Sequence, residues 1–83
     1  MTAKAYVLIE TQAGKTGEVV EAIRKLRGVA SVDAVTGPYD AIAIIVGETM
    51  NDIGEIIVSK VQAVAGVSRT VTCLASLPES KQS

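Results

Sequence analysis

The chain has 83 residues, room for one small domain, since folding at this size buries only about 60% of the surface an unfolded chain exposes. Apolar residues are 48% and charged residues 20% of the sequence, a globular balance that excludes a disordered chain. The net charge of −1 offers nothing with which to hold phosphates, so this chain by itself is not expected to bind DNA or RNA.

The N-terminus Met1-Thr2-Ala3-Lys4 lacks the pattern of a signal peptide, because the apolar run that follows, Ala5 to Ile9, is too short. Lys4 to Thr11 is rich in β-branched residues and reads as a strand. Gln12 to Gly17 breaks it. A helix follows from about Lys15 to Leu26, with Val19, Ile23 and Leu26 on one stripe and Glu18, Glu21, Arg24 and Lys25 on the other face. Arg24, Lys25 and Arg27 crowd its C-terminal end, where the helix dipole favours cations, and Gly28 is placed to stop it.

Val29 to Thr36 reads as the second strand, Gly37-Pro38-Tyr39-Asp40 as a tight turn, and Ala41 to Val46 as the third strand. Thr49 can cap a second helix, Met50 to Val64. Its buried stripe is Met50, Ile53, Ile57, Val61 and Val64. Gly54 on that stripe suggests close approach to the sheet, whereas Ile56 lies off it. Ala65-Gly66 ends the helix, and Val67 to Leu77 is the fourth strand. Residues 1–77 form one domain, and 78–83 are expected to be a flexible tail.

The order is βαββαβ, and the halves repeat: Leu26-Arg27-Gly28-Val29 and Ala65-Gly66-Val67 both lead a helix end into a strand. Such an α+β chain is expected to fold as a ferredoxin-like plait, a four-stranded antiparallel sheet of order 4-1-3-2 with both helices on one face. Strand residues alternate between faces, and both faces are substantially apolar. The uncovered face, taken to bear Leu8, Ala43, Ile45 and Leu74, calls for a homodimer.

The chemistry available is sparse. No His and no Trp occur, so the commonest general base and metal ligand is missing. The single cysteine, Cys73, has no disulfide partner; mid-strand in an apolar run it reads as a small buried hydrophobe. No catalytic residue, metal site or cofactor is expected. The longest apolar stretch, Ala41 to Val46, is far below the roughly 20 residues of a membrane span, and a soluble, cytoplasmic protein is expected. Lys15-Thr16-Gly17 is not a phosphate loop, because the glycine spacing before it is wrong. Strand polarity gathers the end of strand one (Glu10, Thr11, Gln12), the Gly37–Asp40 turn and the start of strand four (Ser68, Arg69, Thr70) on one edge. That edge suits a small zwitterion. From spacing alone, Gly37-Pro38-Tyr39-Asp40 reads first as an ordinary turn in which Asp40 bonds its own backbone. Glu10 and Asp40 are weak grounds for an acid–base pair.

Ala5-Tyr6-Val7-Leu8-Ile9-Glu10, Gly14-Lys15, Val29-Ala30-Ser31-Val32, Val35-Thr36-Gly37-Pro38-Tyr39-Asp40-Ala41 and Val64-Ala65-Gly66-Val67-Ser68-Arg69-Thr70-Val71-Thr72 together resemble the C-terminal effector domain of the Lrp/AsnC transcription regulators, the RAM domain (regulation of amino acid metabolism). The resemblance covers about residues 4 to 77, without a helix-turn-helix, so the chain looks like a stand-alone RAM protein. It implies dimers joined through their sheets, often a ring of dimers, and an amino acid or related metabolite bound between dimers. Carried over by match, the effector-binding residues are Thr36, Gly37, Pro38, Tyr39, Asp40, Thr70 and Thr72. The function implied is that of a non-enzymatic sensor or oligomerisation module acting on a full-length Lrp/AsnC-type regulator, with no direct DNA contact. The alternatives are a small dimeric ferredoxin-like enzyme of monooxygenase or isomerase type, a ligand-free structural module, and an ACT-type sensing domain.

Overall fold

Strand β1 (Ala3–Thr11) lies inside the sheet and fixes what each face carries. The computed structural model describes residues 2–75. Helix α1 (Thr16–Arg24), strands β2 (Val29–Ala34) and β3 (Ala41–Gly47), helix α2 (Met50–Ile56) with a π-helical continuation (Ile57–Val61), and strand β4 (Val67–Leu74) complete the chain. The sheet order is β2-β3-β1-β4, antiparallel at every junction. This is the α+β ferredoxin-like plait expected. The Leu77 end of the fourth strand and the 78–83 tail lie outside the described residues.

Register decides the faces. Val7 pairs with Ala43 and Thr72, and Ile9 with Ala41 and Thr70. Ala5, Val7, Ile9, Ala41, Ala43, Ile45 and Val32 are buried beneath Val19, Val20 and Ile23 of α1 and Ile53, Ile57 and Val61 of the second helix. The helix side of the sheet thus carries three alanines, which let the helices sit close to it. Leu8 pairs with Ile42 and Val71, and Tyr6 with Ile44 and Cys73. The uncovered face therefore bears Tyr6, Leu8, Ile42, Ile44, Val71 and Cys73. Ala43 and Ile45 belong under the helices instead. Leu74 shares their side through its pairing with Ala5 but lies at the edge, half exposed (50%). Cys73 is exposed rather than buried.

The helices depart from simple periodicity in three places. Helix α1 stops at Arg24, where Lys25 and Leu26 turn back with bonds to the Ala22 and Ile23 carbonyls, and Gly28 follows at φ +95°. In α2 the Thr49 hydroxyl accepts from the Asp52 N–H at 3.1 Å, as its capping role requires. Ile53, Ile57 and Val61 are all buried at intervals of four. In an α-helix that spacing drifts about 40° per step; the wider π turn from Ile57 keeps the three side chains on the core. Met50 lies outside this stripe, 47% exposed.

The glycines split into two kinds. Gly28 and Gly66, at the matching points of the two halves, both have left-handed φ (+95° and +100°), and a Cβ on Gly66 would stand 2.9 Å from Val19 Cγ2. The Cδ1 of Ile56 lies where a Cβ of Gly28 would approach it, so Ile56 is packed rather than stray. A Cβ on Gly54 would meet nothing within 4 Å, so this residue does not mark close approach to the sheet. It lines a shallow open depression on the outer side of α2 with Met50, Asn51, Glu55, Val58 and Ser59. Opposite signs follow for two alanine substitutions. Gly66→Ala is expected to lose about 2 kcal/mol through left-handed strain and contact with Val19. Gly54→Ala is expected to gain about 0.5–1 kcal/mol, the helix-interior cost of glycine. Urea unfolding of both variants measures the pair.

Candidate functional site

The residues between β2 and β3, 35–40, form a loop closed at its base by one hydrogen bond and held to β1 by two. The Val35 N–H donates to the Asp40 carbonyl at 3.0 Å, and the Asp40 N–H donates to the Ile9 carbonyl at 2.9 Å. The Asp40 carboxylate accepts the Thr11 N–H at 2.8 Å through Oδ2. The Asp40 side chain thus bonds the backbone of another strand rather than that of its own turn. Strand β2 ends at Ala34, so Thr36 belongs to this loop and not to a strand. Thr36, Gly37 and Pro38 are exposed, while Tyr39 and Asp40 are half-buried.

Thr11 ties this loop to the neighbouring elements. Its hydroxyl lies 2.7 Å from that of Thr16, the first residue of α1. Next to it the Gln12 N–H donates to the Gly66 carbonyl at 2.8 Å. Between Glu10 and Thr11 the pairing with β4 shifts from Glu10↔Arg69 to Thr11↔Val67, a bulge that leaves Ser68 unpaired. Bulges bend a strand and re-aim its groups.

The expected edge therefore exists, but not every expected residue faces the same point. Of the loop, Asp40 meets the end of β1, at Ile9 and Thr11. Thr70 and Thr72 lie on β4, across β1 from the loop and on the helix side of the sheet. The row Ala41–Ile9–Thr70 spans two strand spacings, about 10 Å. Thr70 accepts a hydrogen bond from the Gln62 amide at 3.0 Å, and Thr72 is exposed. Glu10 is paired with Arg69 at 3.3 Å, so Glu10 and Asp40 serve separate partners and form no acid–base pair. Among the described residues no group of three or more Cys, Asp or Glu is placed to hold a metal ion. No helix among them is long and apolar enough to cross a membrane.

Two roles are invisible in the sequence, Thr11's pairing with Asp40 and Gln62's with Thr70. Thr11 was visible as a strand end, but its role as Asp40's partner depends on the β1–β3 register. Gln62 reaches Thr70 from the residue that closes the π turn, donating its own N–H to the Ile57 carbonyl at 2.9 Å, and periodicity carries no signal for that.

Fold and loop define a small plait domain with a polar loop at one sheet edge, and comparison with known proteins gives the family. The sequence model of the Lrp/AsnC ligand binding domain matches residues 4–80, and the chain belongs to that family. The match reaches into the segment 78–83. The chain is 35% identical over 71 residues to an uncharacterized HTH-type transcriptional regulator of Pyrococcus furiosus, a match covering 82% of this chain and 47% of that protein. It thus spans about half the length of the curated relative it matches. The crystal structure of TTHA0845 from Thermus thermophilus superposes with a TM-score of 0.88 at 32% identity, covering 95% of this chain and 99% of that one. The transcriptional regulator NMB0573 of Neisseria meningitidis, solved as a complex with L-Met, shares the fold at a TM-score of 0.80 and 19% identity, over 92% of this chain and 51% of that one.

The Thr11–Thr16 hydroxyl pair is half-buried, so removing one member leaves the other without its partner. Thr11→Val and Thr16→Val are each expected to cost about 1 kcal/mol. A double-mutant cycle by urea unfolding is expected to give a coupling of about 0.5–1 kcal/mol; strict additivity would show the contact to be energetically idle.

Proposed function

We propose that this domain is a non-enzymatic sensor of an amino acid or related metabolite, bound at the Thr36–Asp40 loop where subunits meet. The observation that carries the reading is the loop itself. The main-chain N–H groups of Thr36, Gly37 and Tyr39 have no hydrogen-bond partner among the described residues, on a segment tied to the sheet at its base. Such donors suit a carboxylate. The Neisseria regulator of the same fold carries L-Met, and the choice of amino acids as ligand class follows it. Within one chain β1 separates Thr70 and Thr72 from the loop, so these two join a ligand there only across a subunit boundary.

The subunit contact we propose is the uncovered sheet face. It presents Tyr6, Leu8, Ile42, Ile44 and Val71 without a covering layer, and a patch of this kind is commonly an interface. A second copy of the chain covers it in a homodimer, and dimers join further into a ring. Co-assembly with a full-length Lrp/AsnC-type regulator in the cytoplasm would then carry the signal, because a ligand that prefers the assembled state stabilises it. The enzyme reading has less to rest on: Glu10 and Asp40 are both engaged, with Arg69 and with the Thr11 N–H.

A thermal-shift screen of the twenty amino acids tests the ligand. At 100 times its dissociation constant a ligand adds about 2.7 kcal/mol, expected to raise the melting temperature by about 10–20 °C in a domain this small. No shift with any of them removes the amino-acid reading. Sedimentation tests the interface. The chain is expected to run as a dimer or larger at micromolar concentration. Leu8→Lys is expected to drive it to a monomer with its fold intact, since the lysine would place an unpaired charge in the contact and not in the core. A wild-type monomer would refute the sheet-face dimer.

A further inference from the structure

The β1–β3 ladder runs out at the loop in an unusual way. The last pair is Ile9↔Ala41. Continued antiparallel register would set Thr11 opposite Tyr39, with the Thr11 N–H donating to the Tyr39 carbonyl. In the structure the Asp40 side chain takes that N–H instead, at 2.8 Å, while the Asp40 N–H holds the Ile9 carbonyl at 2.9 Å. A carboxylate has replaced a main-chain acceptor at the end of the sheet. The backbone of 36–39 is thereby released from the ladder, and its N–H groups at Thr36, Gly37 and Tyr39 are left without partners among the described residues.

We infer that Asp40 is a positioning residue: its carboxylate latches the Thr11 N–H, and the ligand's carboxylate is received by the main-chain donors that this latch sets free. This inference rests on the reading of the loop as the ligand site and gives its chemistry. The ligand class is a carboxylate-bearing molecule held through its anionic end. Asp40 contributes through an amide of β1, not through an ammonium of the ligand. The latch has a second consequence. Thr11 also bonds Thr16, so the loop and the start of α1 hang on one residue.

The test uses the ¹⁵N-labelled full chain, with Asp40→Asn and Asp40→Ala beside the wild type. Asparagine keeps an acceptor oxygen at the latch and removes the charge; alanine removes both. Without ligand, the Thr11 amide is expected to be slow to exchange in the wild type. It is expected to stay slow to exchange in Asp40→Asn and to become fast in Asp40→Ala. A Thr11 amide indifferent to all three states would overturn the latch. The probes for binding are the amino acids that shift the wild type, each with the amino alcohol that lacks its carboxylate. Expected are affinity within about threefold for Asp40→Asn, a loss of about tenfold or more for Asp40→Ala, and no binding of the amino alcohol. A tenfold loss in Asp40→Asn with the Thr11 amide still protected would show that Asp40 meets the ligand's ammonium directly, and would refute the positioning role while leaving the site standing. If no amino acid binds the wild type, the site reading fails and this inference falls with it.

Discussion

The pairing of β1 with β3 on one side and β4 on the other is the constraint on which the rest of this molecule depends. It sets Val7 beside Ala43 and Leu8 beside Ile42, and with side chains alternating every residue it settles the content of both faces at once. The helix side receives alanines at 5, 41 and 43, and the second helix brings Ile53, Ile57 and Val61 down on this side of the sheet. The other side receives the larger Tyr6, Leu8, Ile42 and Ile44. A register slip of one residue would exchange these sets, burying isoleucines where the helices need alanines.

The same strand builds the candidate site, because its last residues outrun β3. Up to Ile9 the main chain of β3 supplies partners. Beyond it a donor at Thr11 still needs an acceptor, since a half-buried N–H left unpaired is costly. Asp40 meets that need with a side chain. A short polar side chain can do this only from a position next to the ladder's end, so the loop is tied down at its base and open at its apex. The N–H groups of Thr36, Gly37 and Tyr39, without partners among the described residues, follow from that geometry and are the donors the proposed anion site would use.

Family membership and this geometry fit together. On a domain that spans about half of a curated regulator, the loop proposed to receive the ligand and a bare apolar sheet face share one frame, both anchored in β1. Any subunit packed on that face contacts side chains of the strand whose end holds the loop. Under the proposed function, coupling between ligand and assembly needs no large motion: a ligand that binds the assembled form more tightly shifts the equilibrium by its difference in affinity.

Much of the fold was legible because local chemistry repeats. β-Branched runs marked the strands, Thr49 marked a helix start, and Gly28 and Gly66 marked two helix ends whose left-handed φ values, +95° and +100°, alternatives to glycine rarely adopt. The Gly37–Asp40 segment was legible as a turn, and the family resemblance supplied its candidate role. The sequence by itself therefore determined element order, plait topology and the position of the loop. Tertiary structure alone decided which apolar set is buried, why Cys73 and Met50 lie exposed, and why Gly54 faces open space. It also decided where Asp40 directs its carboxylate and how Gln62 reaches Thr70 through a π turn. The physical reason is the same in each case. Alternation and periodicity state that two faces differ, but only pairing with a neighbouring strand or helix says which face is covered and which polar atom finds a partner.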